Sequence, residues 1–181
     1  MEFLVEAQVT QPATRVVRAL MDELDDVTPF MKSVDDVTSL ERSEPDTGGV
    51  HIIRRWQGSP TTSPAVLRPF LTRESLAWID DALWFPDHYK VEWKVTSNMS
   101  RLYTCGGTNY FEPHPEKPDE WTRVRLTGSV EVHGDKFPGV PAFVGRKVAP
   151  KLEKFIIQKL KPNFQDLASG LQRYLDNVAH Q

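Results

Sequence analysis

VGRKVAPKLEKFIIQKLKPNFQDLASGLQRYLDNV, residues Val144 to Val178, is the stretch whose reading decides the fold. Val144, Val148, Leu152, Phe155, Ile156, Leu160, Phe164, Leu167, Leu171, Leu175 and Val178 recur almost throughout at spacings of three or four. That repeat belongs to a long helix with one apolar face. Lys151, Glu153, Lys154, Lys159, Asp166 and Arg173 occupy the other face. Pro150 suits a helix start near Lys147 to Lys151, whereas Pro162 falls inside the pattern and predicts a kink, because it removes a donor and crowds the preceding turn. A helix with a single apolar face must lie against a second apolar layer.

The preceding chain supplies that layer. Phe3, Val5, Ala7 and Val9 alternate with polar neighbours, the two-residue repeat of a half-buried strand. Thr10, Gln11 and Pro12 read as a cap and an early-helix proline for a short helix through Val16, Val17, Leu20, Met21 and Leu24. Asp25 and Asp26 interrupt it, and Thr28-Pro29 starts a shorter one that ends near Val34. Six further strands are expected near Val37 to Glu44, Val50 to Gln57, Leu76 to Phe85, Tyr89 to Thr96, Leu102 to Glu112 and Trp121 to His133. Turn signals between them predict an antiparallel meander. Tyr89, Val91, Trp93 and Val95 form one inward face, and Val124, Leu126, Val130 and Val132 another. Gly106, Gly107 and Gly128 mark bends in a strongly coiled sheet. The direction of Trp78 and Trp84 stays open, since Asp80-Asp81 blurs their alternation.

A length of 181 residues suits one domain, residues 1 to 181. With 22 basic and 25 acidic side chains the formal charge is -3, which argues against a nucleic-acid partner. No apolar run reaches the roughly 18 to 20 residues of a membrane span, so no stable membrane insertion is expected. Cys105 is the lone cysteine and Met1-Glu2-Phe3 lacks the features of a signal peptide, both of which point to the cytoplasm. The five histidines have no metal-ligand spacing, and no phosphate loop, dinucleotide loop or nucleophile elbow is present, so neither a metal nor a cofactor is expected.

Strand, two short helices, six antiparallel strands and a long terminal helix: this order resembles the helix-grip fold of the START-like (SRPBCC) superfamily of lipid carriers, pollen-allergen-type ligand binders and polyketide cyclases. The resemblance is carried by Phe3 to Pro12, by the strand containing Gly106-Gly107-Thr108 and by the helix Val144 to Val178. It implies an α+β fold with a seven-stranded curved antiparallel sheet. Gly58 to Ser75 departs from the pattern as a long connection whose Pro64, Val66, Leu67, Phe70 and Leu71 suit a short helix or lid.

A sheet curving away from a straight helix leaves volume between the two. Its expected lining is Tyr89, Val91, Trp93, Val124, Leu126, Phe155, Ile156 and Leu160, joined by Trp56, with Leu67 and Phe70 at the entrance beside the loop Phe137 to Val144. Each of these residues would equally fill a dry core. Arg54, Tyr103, Asn109 and Tyr110 are the polar candidates; an arginine among inward residues such as Ile52 and Trp56 needs an anionic partner, a ligand or solvent. Asp80 and Asp81 point to opposite faces and are discounted as an acid pair. The expected function is binding or transport of a hydrophobic small molecule, a lipid or polyketide-like compound. The alternatives are a cyclase/dehydrase-like enzyme acting on such a ligand and a regulatory interaction module. Arg146, Lys147, Lys151, Lys154, Lys159 and Lys161 form a basic cluster, interrupted by Glu153, that suits transient membrane contact or an acidic partner.

Overall fold

A computed structural model of the chain describes residues 1–45, 48–62, 72–97 and 100–180. Seven strands, β1 (Glu2–Val9), β2 (Val34–Ser43), β3 (Val50–Gly58), β4 (Ala77–Phe85), β5 (Lys90–Thr96), β6 (Tyr103–Pro113) and β7 (Thr122–Val132), form one antiparallel sheet. Its order is β1-β7-β6-β5-β4-β3-β2, a meander from β2 to β7 with β1 returning beside the last strand. Helices α1 (Ala13–Asp22) and α2 (Leu24–Val27) and a 3-10 turn at Thr28–Phe30 follow β1, and α3 (Ala142–Ala179) closes the chain against the sheet. This is the helix-grip fold.

Three details of the helices differ from the sequence reading. Asp25 and Asp26 do not break a helix: they stand in the first turn of α2, where carboxylates face the positive end of the peptide dipoles. Pro12 lies outside α1, as its N-cap residue with extended backbone and without a side-chain cap bond. Helix α3 starts at Ala142 rather than near Lys147, with Pro150 and Pro162 both inside it. Its early start follows from backbone contact: a Cβ on Gly145 would stand 1.8 Å from the Gly134 carbonyl oxygen, so the first turn of α3 seats directly on the 3-10 turn Gly134–Lys136. Only a residue without a side chain permits that approach.

Two buried clusters hold the layers together. The larger joins Val5, Val9, Trp84, Val91, Phe111, Val124 and Leu126 of the sheet to Val16, Val17 and Leu20 of α1 and to Phe164, Leu171 and Leu175 of α3. The smaller joins Cys105, Val130 and Val132 to Ala149 and Ile157 near the start of α3. Tyr174 donates to Glu23 at 2.7 Å, and Arg15 reaches the same carboxylate at 2.7 Å, tying the end of α3 to α1.

Candidate functional site

The strand register places side chains on the helix-facing side in rows. One row runs Val50, Trp84, Val91, Asn109, Leu126 and Val5; the next runs Ile52, Ala82, Trp93, Gly107, Gly128 and Phe3; a third runs Ser39, Arg54, Asp80, Val95, Cys105 and Val130. Trp56 pairs with Trp78 one step further along, and their rings stack with centroids 5.8 Å apart. Trp78 and Trp84 therefore both point inward, since residues two apart share a face.

Between the two buried clusters, the inward residues Trp56, Trp78, Asp80, Trp93, Val95 and Asn109 all remain partly accessible, as do Leu152, Ile156 and Leu160 of α3. Gly107 and Gly128 put no side chain into the same area. The apolar residues of this set pack against the margins of the two buried clusters without being fully covered. The aromatic wall of this area is oriented from within, because Trp93 donates through Nε1 to Asn109 Oδ1 at 2.9 Å.

One side of this area is polar. Arg54 is only 4 % exposed and donates from Nη1 to the Leu20 carbonyl at 3.0 Å and from Nη2 to the Met21 carbonyl. These are carbonyls of the last turn of α1, where the helix dipole favours a cation. Burial lowers the Arg54 pKa, against the pull of Asp80, Asp25 and Asp22. A cleft of about 180 Å³ opens beside the guanidinium, between Met21, Asp22, Asp25, Arg42 and Ile52.

Asp80 lies in the same row. Burial pushes its carboxyl from 3.8 up to about 7, with the charge of Asp81 adding to the rise and Arg54 opposing it. The Trp56 indole N–H faces this carboxyl and lowers that pKa, but it finds no acceptor in strict hydrogen-bond geometry among the described residues. Arg54 Nε and Trp84 Nε1 are likewise buried without acceptors among the described residues. Such donors cost about 1–3 kcal/mol each unless something accepts from them. Asp81 points outward and meets His51 at 2.7 Å.

The predicted lining separates into groups. Trp93 and Asn109 are joined by a hydrogen bond on the inner face, Trp56 and Arg54 share that face on β3, and Ile156 and Leu160 pack with Trp93 against the smaller cluster. Tyr103 lies at its edge, inward on β6, with its hydroxyl 3.2 Å from Ser97 Oγ. Val91, Val124 and Leu126 are inward but tightly packed in the larger cluster. Tyr89 is not a strand residue: it sits in a left-handed turn at φ 48° and packs against the core. Tyr110 points outward, under the Arg125 guanidinium at 4.9 Å, because Asn109 and Phe111 take the inward positions. Phe155 is 52 % exposed, since Ile156 and Ile157 occupy the sheet side of that turn. Leu67 and Phe70, like Pro64, Val66 and Leu71, lie outside the described residues. Asp80 is the residue the sequence reading passed over. Its signal was the repeat Trp78, Asp80, Ala82, Trp84, which puts it on the tryptophans' face. Among the described residues, no group of three or more His, Cys, Asp or Glu side chains is placed to hold a metal ion.

No family model and no curated protein matches the sequence. Solved structures do match in fold. The Thermus thermophilus protein TTHA0849 is 19% identical with a TM-score of 0.67, covering 98% of this chain and 99% of its own. The Zhui aromatase/cyclase of a Streptomyces species is 15% identical with a TM-score of 0.65, over 98% of this chain and 95% of its own. Norcoclaurine synthase of Thalictrum flavum is 11% identical with a TM-score of 0.58, over 97% and 86%. At these identities the likeness is one of fold.

Proposed function

We propose that residues 1–181 form one domain that binds a hydrophobic small molecule, lipid or polyketide-like, between the inner face of the sheet and α3. The observation that carries this reading is the combination of partly accessible inward tryptophans at Trp56, Trp78 and Trp93 with buried donors at Trp56 and Arg54 that have no strict acceptor among the described residues. Ring surface suits an apolar body, and the donors suit an oxygen on it. The partner is thus a mainly apolar molecule carrying a carbonyl, phenol or similar acceptor. No helix among the described residues is long and apolar enough to cross a membrane.

A second reading, chemical conversion of that ligand, is favoured by Asp80. A carboxyl with a pKa of about 7 holds and releases a proton at neutral pH, which a general acid or base requires. The names aromatase/cyclase and norcoclaurine synthase, borne by two proteins of the same fold, agree with it. Extraction of the protein from its natural cells, followed by mass spectrometry, identifies the bound compound; incubation with fresh protein then separates carriage, with the compound unchanged, from turnover. Trp93→Ala weakens an apolar fluorescent probe by more than it lowers stability if the ring lines the site. Equal losses would make Trp93 a core residue, and an unchanged affinity would remove it from the site.

A further inference from the structure

The first half of α3 presents a second surface, and its reading does not rest on the ligand site. Of the nine exposed large hydrophobic side chains among the described residues, five fall within sixteen residues: Val140, Phe143, Val144, Val148 and Phe155. Phe143 is 71 % exposed, the most of the nine. Val144, Val148, Lys151 and Phe155 succeed one another at steps of four, three and four, so they form one stripe along the helix. Lys147 and Lys154 each precede a stripe residue by one position and flank it on one side, and Arg146 and Lys161 are exposed on the same half of the helix.

The exposed charges described on this stretch of α3 are all basic. Between Ala142 and Lys161 the sequence holds a single acid, Glu153. In the fold it turns away from solvent, with its side chain 14 % exposed, and accepts from the Val132 backbone N–H at 3.0 Å. The interruption visible in the sequence therefore vanishes on the folded surface, which carries basic charge beside apolar side chains on a protein whose formal charge is -3.

We propose that this face of α3 docks reversibly on an anionic lipid bilayer, with Phe143, Val144 and Val148 entering the headgroup boundary and the lysines meeting lipid phosphates and carboxylates. Charge complementarity chooses the partner's sign. Shape chooses the bilayer: the apolar groups stand on a convex helical ridge, which a deformable interface accepts without a matching groove, and interleaved apolar and basic residues are what interfacial helices present.

The test is flotation of the full chain with vesicles of phosphatidylcholine alone or mixed with about a third phosphatidylserine. Binding to the anionic vesicles is expected to exceed that to neutral ones by about tenfold or more and to weaken as salt rises. The double variant Lys147→Glu, Lys151→Glu should lose at least about tenfold, and Phe143→Ser about threefold or more, with melting temperatures unchanged because all three sites are exposed. Val144→Cys carrying a polarity-sensitive dye should brighten on vesicles; Cys105, 4 % exposed, leaves the labelling selective. Absence of flotation with anionic vesicles, binding unaltered by the double variant, or a dye that does not respond would each overturn the proposal. So would retention of a soluble acidic protein by this face without any vesicle binding.

Discussion

Replacing Asp80 with asparagine should change the pH dependence of stability in a defined way. In the folded protein the carboxyl has a pKa of about 7, against 3.8 for the free group. Between those values the folded chain binds the proton more tightly than the unfolded chain, so stability is highest below the lower value and declines as pH rises toward the upper one. At 1.36 kcal/mol per pH unit the whole decline amounts to about 4 kcal/mol, an upper bound because the carboxyl keeps some contact with solvent. Roughly 3 kcal/mol of it falls between about pH 5 and pH 8. The asparagine amide stays neutral and resembles the protonated acid in shape, so the Asp80→Asn variant escapes this decline. Urea denaturation of both proteins across that range measures the difference between them, in which other titrations cancel. Those include Glu23 and Glu112, which arginine partners, with Tyr174 for Glu23, hold below the usual carboxylate range in spite of their desolvation. The variant should gain on the wild type by about 2–3 kcal/mol from the acid to the alkaline end. A difference that stays flat within about 0.5 kcal/mol would refute both the burial of Asp80 and its candidacy as a proton-transferring group.

Two further outcomes follow from single contacts. Trp56→Phe removes a buried donor that has no strict acceptor among the described residues and keeps a ring against Trp78; relief of its desolvation offsets the smaller ring and the lost influence on Asp80, leaving stability within about 1 kcal/mol. A carbonyl-bearing probe should then bind about tenfold more weakly while its hydrocarbon analogue is unaffected, and equal effects on both would show that Trp56 donates to nothing in the site. Gly145→Ala should cost about 3 kcal/mol or more, because the new methyl would collide with the Gly134 carbonyl, outweighing the helix propensity gained. An unchanged melting temperature would place α3 further from the Gly134–Lys136 turn than described.

Much of the architecture was legible because hydrophobic repeats are local. The three-and-four spacing from Val144 to Val178 and the alternation of Phe3 to Val9 and Val124 to Val132 each specify an element and its buried side from neighbouring residues alone. Tyr110 was harder. The glycines at 106 and 107 erase two side chains just where the phase of β6 would be counted, and only pairing with β5 and β7 settles that Asn109 faces inward. Phe155 shows the same limit on a helix: Phe155, Ile156 and Ile157 are all apolar, and the position of the sheet decides which of them is covered.

The sequence by itself determined the antiparallel meander, the long one-sided helix and the aromatic richness of strands three to five, since each is written in spacings shorter than a dozen residues. Tertiary structure alone decided the site. Arg54 finds its acceptors in α1, thirty-three and thirty-four positions earlier. Asp80 owes its raised pKa to burial on the inner face of the sheet, and Glu153 leaves the basic face where it meets the Val132 backbone N–H and the Met1 ammonium. Burial and charge environment are sums over neighbours distant in the chain, and no local pattern encodes such sums.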